Sequence, residues 1–190
     1  MQHRTILLTI LFALLLLAQP NAQAEGETYY VYLPLLQRAP PAGQTLEQYQ
    51  MAQEVLALVN AQRASANPAC APLAMNEKLT LAAQRESQDM ALNNFFSHTN
   101  PDPSRATLVM RVEATGYNWQ ALAENIAAGY SSSASAMSGW MNSDGHRANI
   151  LDCTYTEIGI GYYYQSDDQP LPSGGGPYYH YWTQVFGRPR

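Results

Sequence analysis

The chain has 190 residues, of which 46% are apolar and 13% charged, which is enough for one globular domain with a sizeable core. Its formal net charge is −5, so it lacks the excess of basic residues that the phosphates of a nucleic acid require. Composition therefore indicates a single-domain protein and excludes nucleic acid as an expected partner.

Residues 1–24 have the pattern of a secretory signal peptide. Arg4 precedes the apolar run from Ile6 to Ala18, and Ala22-Gln23-Ala24 matches the small-residue pattern of a cleavage site. The run is shorter than the ~20 residues that a membrane span needs. We therefore expect a secreted, extracellular protein whose mature chain has no transmembrane segment. Residues 25–44 contain several prolines and no helical period, and are expected to form an extended leader.

Residues 45–190 are expected to form the domain, and its first part has helical patterns. Thr45 and Gln48 form a capping box for a long first helix that ends before Asn67-Pro68, and Asn76 caps a second helix. After turn residues at 97–104, the patterns predict a short helix within 107–116 and another around 135–142.

The last part of the chain changes to the two-residue period of β-strands. The segments EIGIGYYY (157–164) and YYHYWTQVF (178–186) alternate and are rich in aromatic and β-branched residues, which predicts two paired strands. PLPSGGGP (170–177) is the loop between them. Helices followed by a hairpin predict an α+β fold with helices packed on an antiparallel sheet.

The mature chain contains two cysteines, Cys70 and Cys153. An oxidising compartment favours a disulfide between them, and the alternative is two free thiols. A metal-binding role for these two cysteines is disfavoured because they do not have CxxC spacing.

Three polar residues stand out as candidates for a site. His98 and His146 lie in polar segments predicted as loops, where binding and catalytic residues are common. Glu124 lies in AENIAAG (123–129), and a carboxylate there needs a partner such as histidine if it is buried. The alternative is that each residue only forms hydrogen bonds within the fold. His180 lies in a predicted strand among aromatic residues and is expected to be structural or exposed.

Seven segments occur in a specific order: LALVNAQRA, LTLAAQRESQDMA, FFSHTNPD, AENIAAGY, WMNSDGHRANIL, YTEIGIGYYY and YWTQVFG. From about Val55 to Gly187 this order closely resembles the CAP family, also called the SCP or cysteine-rich secretory and antigen 5 group, in its bacterial secreted form. The resemblance implies an α-β-α sandwich with a small antiparallel sheet between helical layers. It also implies a groove lined by two histidines and two glutamates.

The resemblance assigns three of the four groove positions to His98, Glu124 and His146, and it implies that the two histidines face each other across the groove. Two imidazoles and one carboxylate match a three-ligand zinc site in residue type, so these three are the candidate metal ligands. The segment Asn149–Leu151 is expected to hold His146 to the fold.

The fourth groove position departs from the family pattern. Animal members carry an acid three residues after the tryptophan, and this chain has Ser143 there. Asp144 or Glu157 could replace that acid. Arg147 is expected to pair locally with an acid rather than to bind substrate.

Three functions follow as expectations. The first is a binding module for a lipid, a cell-wall fragment or a protein, with a divalent metal such as zinc in the groove. The second is a metal-assisted hydrolase, in which zinc lowers the pKa of bound water to roughly 7 and Glu124 is the candidate catalytic carboxylate. The third is a structural extracellular domain without a small-molecule ligand. Because HExxH and GxSxG motifs are absent, binding is favoured over catalysis.

Overall fold

A computed structural model of the chain describes residues 40–41, 43–66 and 70–190. The predicted signal peptide, most of the predicted leader and the Asn67-Pro68 end of the first helix lie outside the described residues. All described residues belong to one compact unit, Leu33–Arg190. Within the described ranges, no helix is both long and apolar enough to cross a membrane.

The described residues form five helices and four strands. In chain order they are α1 (Leu46–Ala66), β1 (Ala74–Met75), α2 (Glu77–Leu92), α3 (Leu108–Glu113), β2 (Trp119–Ala128), α4 (Ser133–Met141), α5 (Asp144–Leu151), β3 (Glu157–Tyr164) and β4 (His180–Pro189).

The two helix starts predicted from capping residues are confirmed, whereas the helix predicted around 135–142 is α4 and begins at Ser133. Thr45 and Gln48 exchange the two hydrogen bonds of a capping box, at 2.9 and 3.1 Å. The Asn76 side chain accepts hydrogen bonds from the first backbone N–H groups of α2. Helix α3 is shorter than the predicted segment and is followed by Gly116 at a φ of +74°, a conformation that favours glycine.

The four strands form one sheet in the order β1-β3-β4-β2. Strands β3 and β4 pair antiparallel, as predicted, and β2 pairs antiparallel with the other edge of β4. The two-residue strand β1 pairs parallel with β3. The sheet therefore differs from the predicted antiparallel sheet at this one edge. A strand this short has no sequence period to detect.

Glu124 lies in β2, a strand that the sequence patterns do not predict. The sequence WQALAENIAA contains one β-branched residue and four alanines, a composition that does not favour a strand. The strand forms because its residues pair with those of β4 from Trp119 to Ala128. Pairing with a distant segment thus overrides the weak local preference.

Helices cover both faces of the sheet, which confirms the predicted α+β sandwich. One face packs against α1, α4 and α5 through a large core that includes Ile158, Ile160, Tyr162, Trp182, Phe186, Trp140 and Ile150. The other face packs against α2 and α3 through smaller clusters that include Leu79, Ala83, Val112, Val185, Met90 and Tyr181.

Two glycines of β3 allow α2 to approach the sheet at backbone contact. A Cβ atom at Gly159 would lie 2.0 Å from the Leu79 carbonyl carbon, and one at Gly161 would lie 2.3 Å from that of Ala83. Only glycine fits at such distances. The glycines therefore set the separation of α2 from the sheet, and with it the position of Glu86 in the middle of α2.

The predicted disulfide between Cys70 and Cys153 is confirmed, with the two Cα atoms 4.9 Å apart. It joins the segment that follows α1 to the segment that precedes β3. Beside it, the buried guanidinium of Arg63 donates hydrogen bonds to the carbonyls of four residues at the same junction: Ala71, Ile150, Asp152 and Tyr155. These bonds anchor the carboxyl end of α5, the helix that carries His146.

Candidate functional site

Glu124 lies in the middle of β2 and its side chain is only 4% exposed. Its Oε1 lies 2.9 Å from Nδ1 of His98, and its Oε2 accepts a hydrogen bond of 2.6 Å from Nη2 of Arg111. The buried carboxylate thus has the histidine partner that the sequence suggested, and an arginine as well. Both of its oxygens are engaged by protein groups.

Arg111 is a site residue that the sequence reasoning missed. Its guanidinium on α3 is buried, and its Nε lies 3.2 Å from Oε2 of a second carboxylate, Glu86. Its Nη1 also donates to the carbonyls of Arg105 and Ala106, both at 3.3 Å. The signal in the sequence was a charged residue between two apolar ones, Met110 and Val112, which indicates a buried charge in a short helix. Arg111 joins the loop that carries His98 to both α2 and β2.

A second set of polar groups lies beneath this loop. Asn100 is buried and donates to Glu86 and to Asp89, each at 2.9 Å, and Asp89 pairs with Nε of Arg105 at 2.9 Å. Glu86 is fully buried, and its Oε1 has no hydrogen-bond partner among the described residues. Burial raises the pKa of Glu86 to about 7. The network beneath this loop contains three carboxylates, those of Glu86, Asp89 and Glu124, and two guanidinium groups, those of Arg105 and Arg111.

His98 lies at the surface end of this network, with 55% of its side chain exposed. Its hydrogen bond to Glu124 raises its pKa, while burial acts in the opposite direction. Because Nδ1 faces the carboxylate, Nε2 is the ring nitrogen that remains for a ligand.

We expect the substitution Glu124→Gln to lower the pKa of His98, because the amide cannot stabilise the imidazolium as the carboxylate does. NMR titration of the His98 ring protons measures this pKa directly. His180, which bonds to Tyr162 far along the chain from Glu124, should titrate unchanged and serves as the internal control. An unaltered His98 titration would contradict the Glu124 contact.

His146 lies in α5 rather than in the predicted loop. The helix has eight residues and no side-chain hydrogen bond at its N-cap, so its start carries little sequence signal. Burial, and then the charge of His98, lower the pKa of His146. The carbonyl of His146 accepts from Asn125 Nδ2 at 3.1 Å, and Asn125 Oδ1 accepts from Asn149 at 2.9 Å. With Ile150 in the core, the holding role predicted for Asn149–Leu151 is confirmed.

The other candidate residues have separate environments. Asp144 is exposed and pairs with Arg147, which confirms the local pairing predicted for that arginine. Glu157 accepts a 2.6 Å hydrogen bond from Tyr117 at the start of β3. His180 has the structural role expected of it, since its Nδ1 lies 2.9 Å from the Tyr162 hydroxyl. Ser143 lines a groove together with His146.

This groove, which we call the β2 groove, runs along the end of strand β2. Its floor is formed by Ile126–Ala128, and Phe96 and Tyr178 line it on the side of the sheet that α2 covers. Trp140, Ser143 and His146 line it on the side of α4 and α5. His98 and Glu124 are not among the lining residues. The structure thus brings His98 and Glu124 together and places His146 in the neighbouring groove.

The three-ligand zinc site suggested by the resemblance stays a prediction, and the contacts of Glu124 bear on the part this residue could take in it. Both oxygens of Glu124 are engaged, and Arg111 already supplies the positive charge that a metal ion would bring. Across residues 40–41, 43–66 and 70–190, no three His, Cys, Asp or Glu residues are grouped so as to hold a metal ion. In this arrangement Glu124 orients the His98 ring through Nδ1.

Two bacterial relatives and one distant structure are similar to this chain. The uncharacterized protein YkwD of Bacillus subtilis (strain 168) is 37% identical over 109 residues, which cover 57% of this chain and 41% of YkwD. The crystal structure of an extracellular protein containing a SCP domain from Bacillus anthracis str. Ames is 30% identical, with a TM-score of 0.61 over 79% of this chain and 45% of that one. An outer surface protein from Borrelia burgdorferi is 16% identical and shares the fold, with a TM-score of 0.60 over 73% of this chain and 92% of that one.

The chain spans less than half the length of each of the two Bacillus proteins. The model of the cysteine-rich secretory protein family, CAP, matches residues 56–186, which is more than half of the chain. This protein therefore belongs to the cysteine-rich secretory protein (CAP) family.

Proposed function

We propose that this protein is an extracellular ligand-binding module and that the β2 groove is its binding site. The signal-peptide pattern and the disulfide support an extracellular location, since disulfides persist in oxidising compartments. The description of the Bacillus anthracis relative as extracellular agrees with this location.

The engagement of Glu124 is the observation that favours binding over catalysis. A general base must be free to accept a proton from water or substrate. Glu124 instead forms an ion pair with Arg111 and a hydrogen bond with His98. Asp144 and Glu157 are also paired, with Arg147 and Tyr117. The candidate catalytic carboxylate, Glu124, is thus committed to structural contacts, and each of the other two candidate acids already has a partner.

The side chains of the β2 groove suit a ligand that is partly apolar. Phe96 and Tyr178 offer aromatic surface, and Ser143 and His146 offer hydrogen-bonding groups at one side. Binding sites commonly combine apolar walls with a few polar groups that fix the orientation of the ligand. A ligand with an apolar part and one polar group matches this arrangement.

The fluorescent probe 1-anilinonaphthalene-8-sulfonate (ANS), which is aromatic and carries one anionic group, tests the groove. We expect saturable binding with enhanced fluorescence, and about tenfold or more weaker binding to a Ser143→Trp variant, whose indole would fill the groove. The matched control is Ala148→Trp, which places the same side chain on the exposed face of α5. Equal binding of ANS to both variants would contradict the proposal.

The metal-assisted hydrolase makes a different prediction for the same protein. If the protein cleaved a peptide or cell-wall substrate in the presence of zinc, and the Glu124→Gln variant did not, the function would be catalysis rather than binding. A zinc titration at pH 7.5, compared with a His98→Ala, His146→Ala double variant, separates uptake by these histidines from uptake elsewhere.

A further inference from the structure

We propose that the β2 groove binds a polypeptide in extended conformation, which pairs with the outer edge of β2 as an additional strand. This inference rests on the proposed function, because it names the class of ligand for the same groove. The backbone groups that β2 presents to the groove are the observation that supports it.

Strand β2 is at one edge of the sheet, so half of its backbone groups point away from β4. The N–H of Gly129 donates to the carbonyl of His180, while Ala128 is the residue opposite Tyr181. In an antiparallel ladder, this bond makes Ala128 a residue that is not hydrogen-bonded to its partner. By the same alternation, the backbone groups of Leu122, Glu124, Ile126 and Ala128 point outward.

Side chains cover most of this outer edge. The carbonyl of Leu122 accepts from the Tyr155 hydroxyl at 3.5 Å, and that of Glu124 from Asn149 at 3.4 Å. The carbonyl of Ile126 accepts from the indole N–H of Trp140 at 3.2 Å. Such capping protects an edge strand from pairing with other chains.

The capping stops at the groove. Beyond the Trp140 bond to the Ile126 carbonyl, none of the described residues provides a hydrogen bond to the outward N–H or the outward carbonyl of Ala128. Ala128 is half-buried, and backbone groups that are removed from water normally have partners. One donor and one acceptor, the two groups of a single residue that a neighbouring strand engages, therefore remain for a ligand.

The groove also continues on both sides of this edge. Side chains in an added strand would alternate between the two faces of the sheet. On one side they would meet Phe96, which is 39% exposed, and Tyr178. On the other side they would meet Ser143 and His146. Hydrogen bonds to a strand edge, with alternate side chains in flanking pockets, are the features of peptide recognition by strand addition.

The hydrogen-bonding pattern distinguishes a peptide from a lipid. An acyl chain has no donors or acceptors along its length and would leave the N–H and carbonyl groups of Ala128 without partners. An extended peptide supplies carbonyl and N–H groups at the same repeat as β2. Lysines at the ends of such a peptide would also complement the net charge of −5.

The test uses fluorescently labelled heptapeptides with the pattern Lys-Thr-X-Ser-X-Thr-Lys, in which both X residues are Ala, Val, Leu or Phe. Fluorescence anisotropy with the wild-type protein should show saturable binding of at least one of them. Two N-methylated forms of the bound peptide are then compared, each methylated at one of the two alternating sets of residues. We expect one form to lose binding by about tenfold or more and the other to retain it, because only one edge of the peptide faces β2.

A protein variant gives an independent measurement. Ala128→Pro removes the outward N–H and leaves the hydrogen bonds between β2 and β4 in place. An edge strand tolerates proline at a position whose N–H points away from the sheet. The control Ala128→Val has a side chain of similar volume and keeps the N–H. We expect the peptide to bind the proline variant about tenfold or more weakly than the valine variant, while ANS binds both.

The outcomes separate the inference from the proposed function. Equal binding of the two N-methylated forms, or equal binding of the peptide to the proline and valine variants, would overturn strand addition. Binding of ANS that depends on Ser143 without binding of any heptapeptide would also overturn it, and would leave the proposed function standing. If the wild-type protein did not bind ANS at all, that result would instead contradict the proposed function.

Discussion

Replacing Arg111 with methionine should lower the free energy of unfolding by about 3 to 5 kcal/mol, because it leaves two buried carboxylates without their shared cation. Methionine keeps much of the length of the arginine side chain and removes its charge. Glu86 and Glu124 would both lose an ion pair that the structure places at 3.2 and 2.6 Å. Urea denaturation followed by circular dichroism measures the change. The control is Arg147→Met, whose exposed pair with Asp144 should contribute at most about 1 kcal/mol.

The cost of losing Arg111 should depend on pH through Glu86. Its pKa is about 7 in the folded protein, above the ordinary value of 4.5, so the folded state holds this proton more tightly. The resulting contribution to stability is fully present below about pH 4.5 and is lost as the pH rises through about 7. The Arg111→Met variant should therefore be less destabilised at pH 5 than at pH 8.

A second substitution tests whether the lost charge is the cause. In a Glu86→Gln background, Arg111→Met leaves one buried carboxylate instead of two, so its cost at pH 8 should be smaller than in the wild type. Equal costs in both backgrounds would mean that Arg111 and Glu86 do not interact as described.

Replacing Gly159 with alanine should lower the free energy of unfolding by about 4 kcal/mol or more, above the usual range of about 1 to 3 kcal/mol for overpacking. The added methyl group would lie 2.0 Å from a backbone carbon of Leu79, and a helix backbone cannot rotate away as a side chain can. Helix α2 would have to move from the sheet and carry Glu86 with it. Urea denaturation gives the stability of any variant that folds.

The matched control is Gly145→Ala, in α5. A Cβ atom there would have no heavy atom within 4 Å, and the glycine has an ordinary helical backbone. We expect this change to raise stability by about 0.5 to 1 kcal/mol, because alanine is the better helix former. If the Gly159→Ala variant instead had the same midpoint of urea denaturation as the wild type, α2 and β3 would not be in the close backbone contact described.

The sequence by itself determined the features that depend on neighbouring residues or on a distinctive order of segments. The capping residues Thr45 and Asn76 located two helix starts, because a cap acts within one turn. The two-residue period located β3 and β4, because each strand places alternate residues on opposite faces. Two cysteines in a chain predicted to be exported led to one disulfide, and the order of seven segments led to the family.

Only the tertiary structure decided the features that depend on distant segments. Strand β2 forms by pairing with β4, against the composition of AENIAAG. Glu124 was expected to need a partner, but Arg111 and Glu86 could not be identified, since no local pattern shows which buried charges meet across α2, α3 and β2. The open backbone at Ala128 is likewise decided by where the capping side chains end. Charge pairing and strand edges arise from contacts between distant segments, and a single sequence specifies those contacts only through the folded chain.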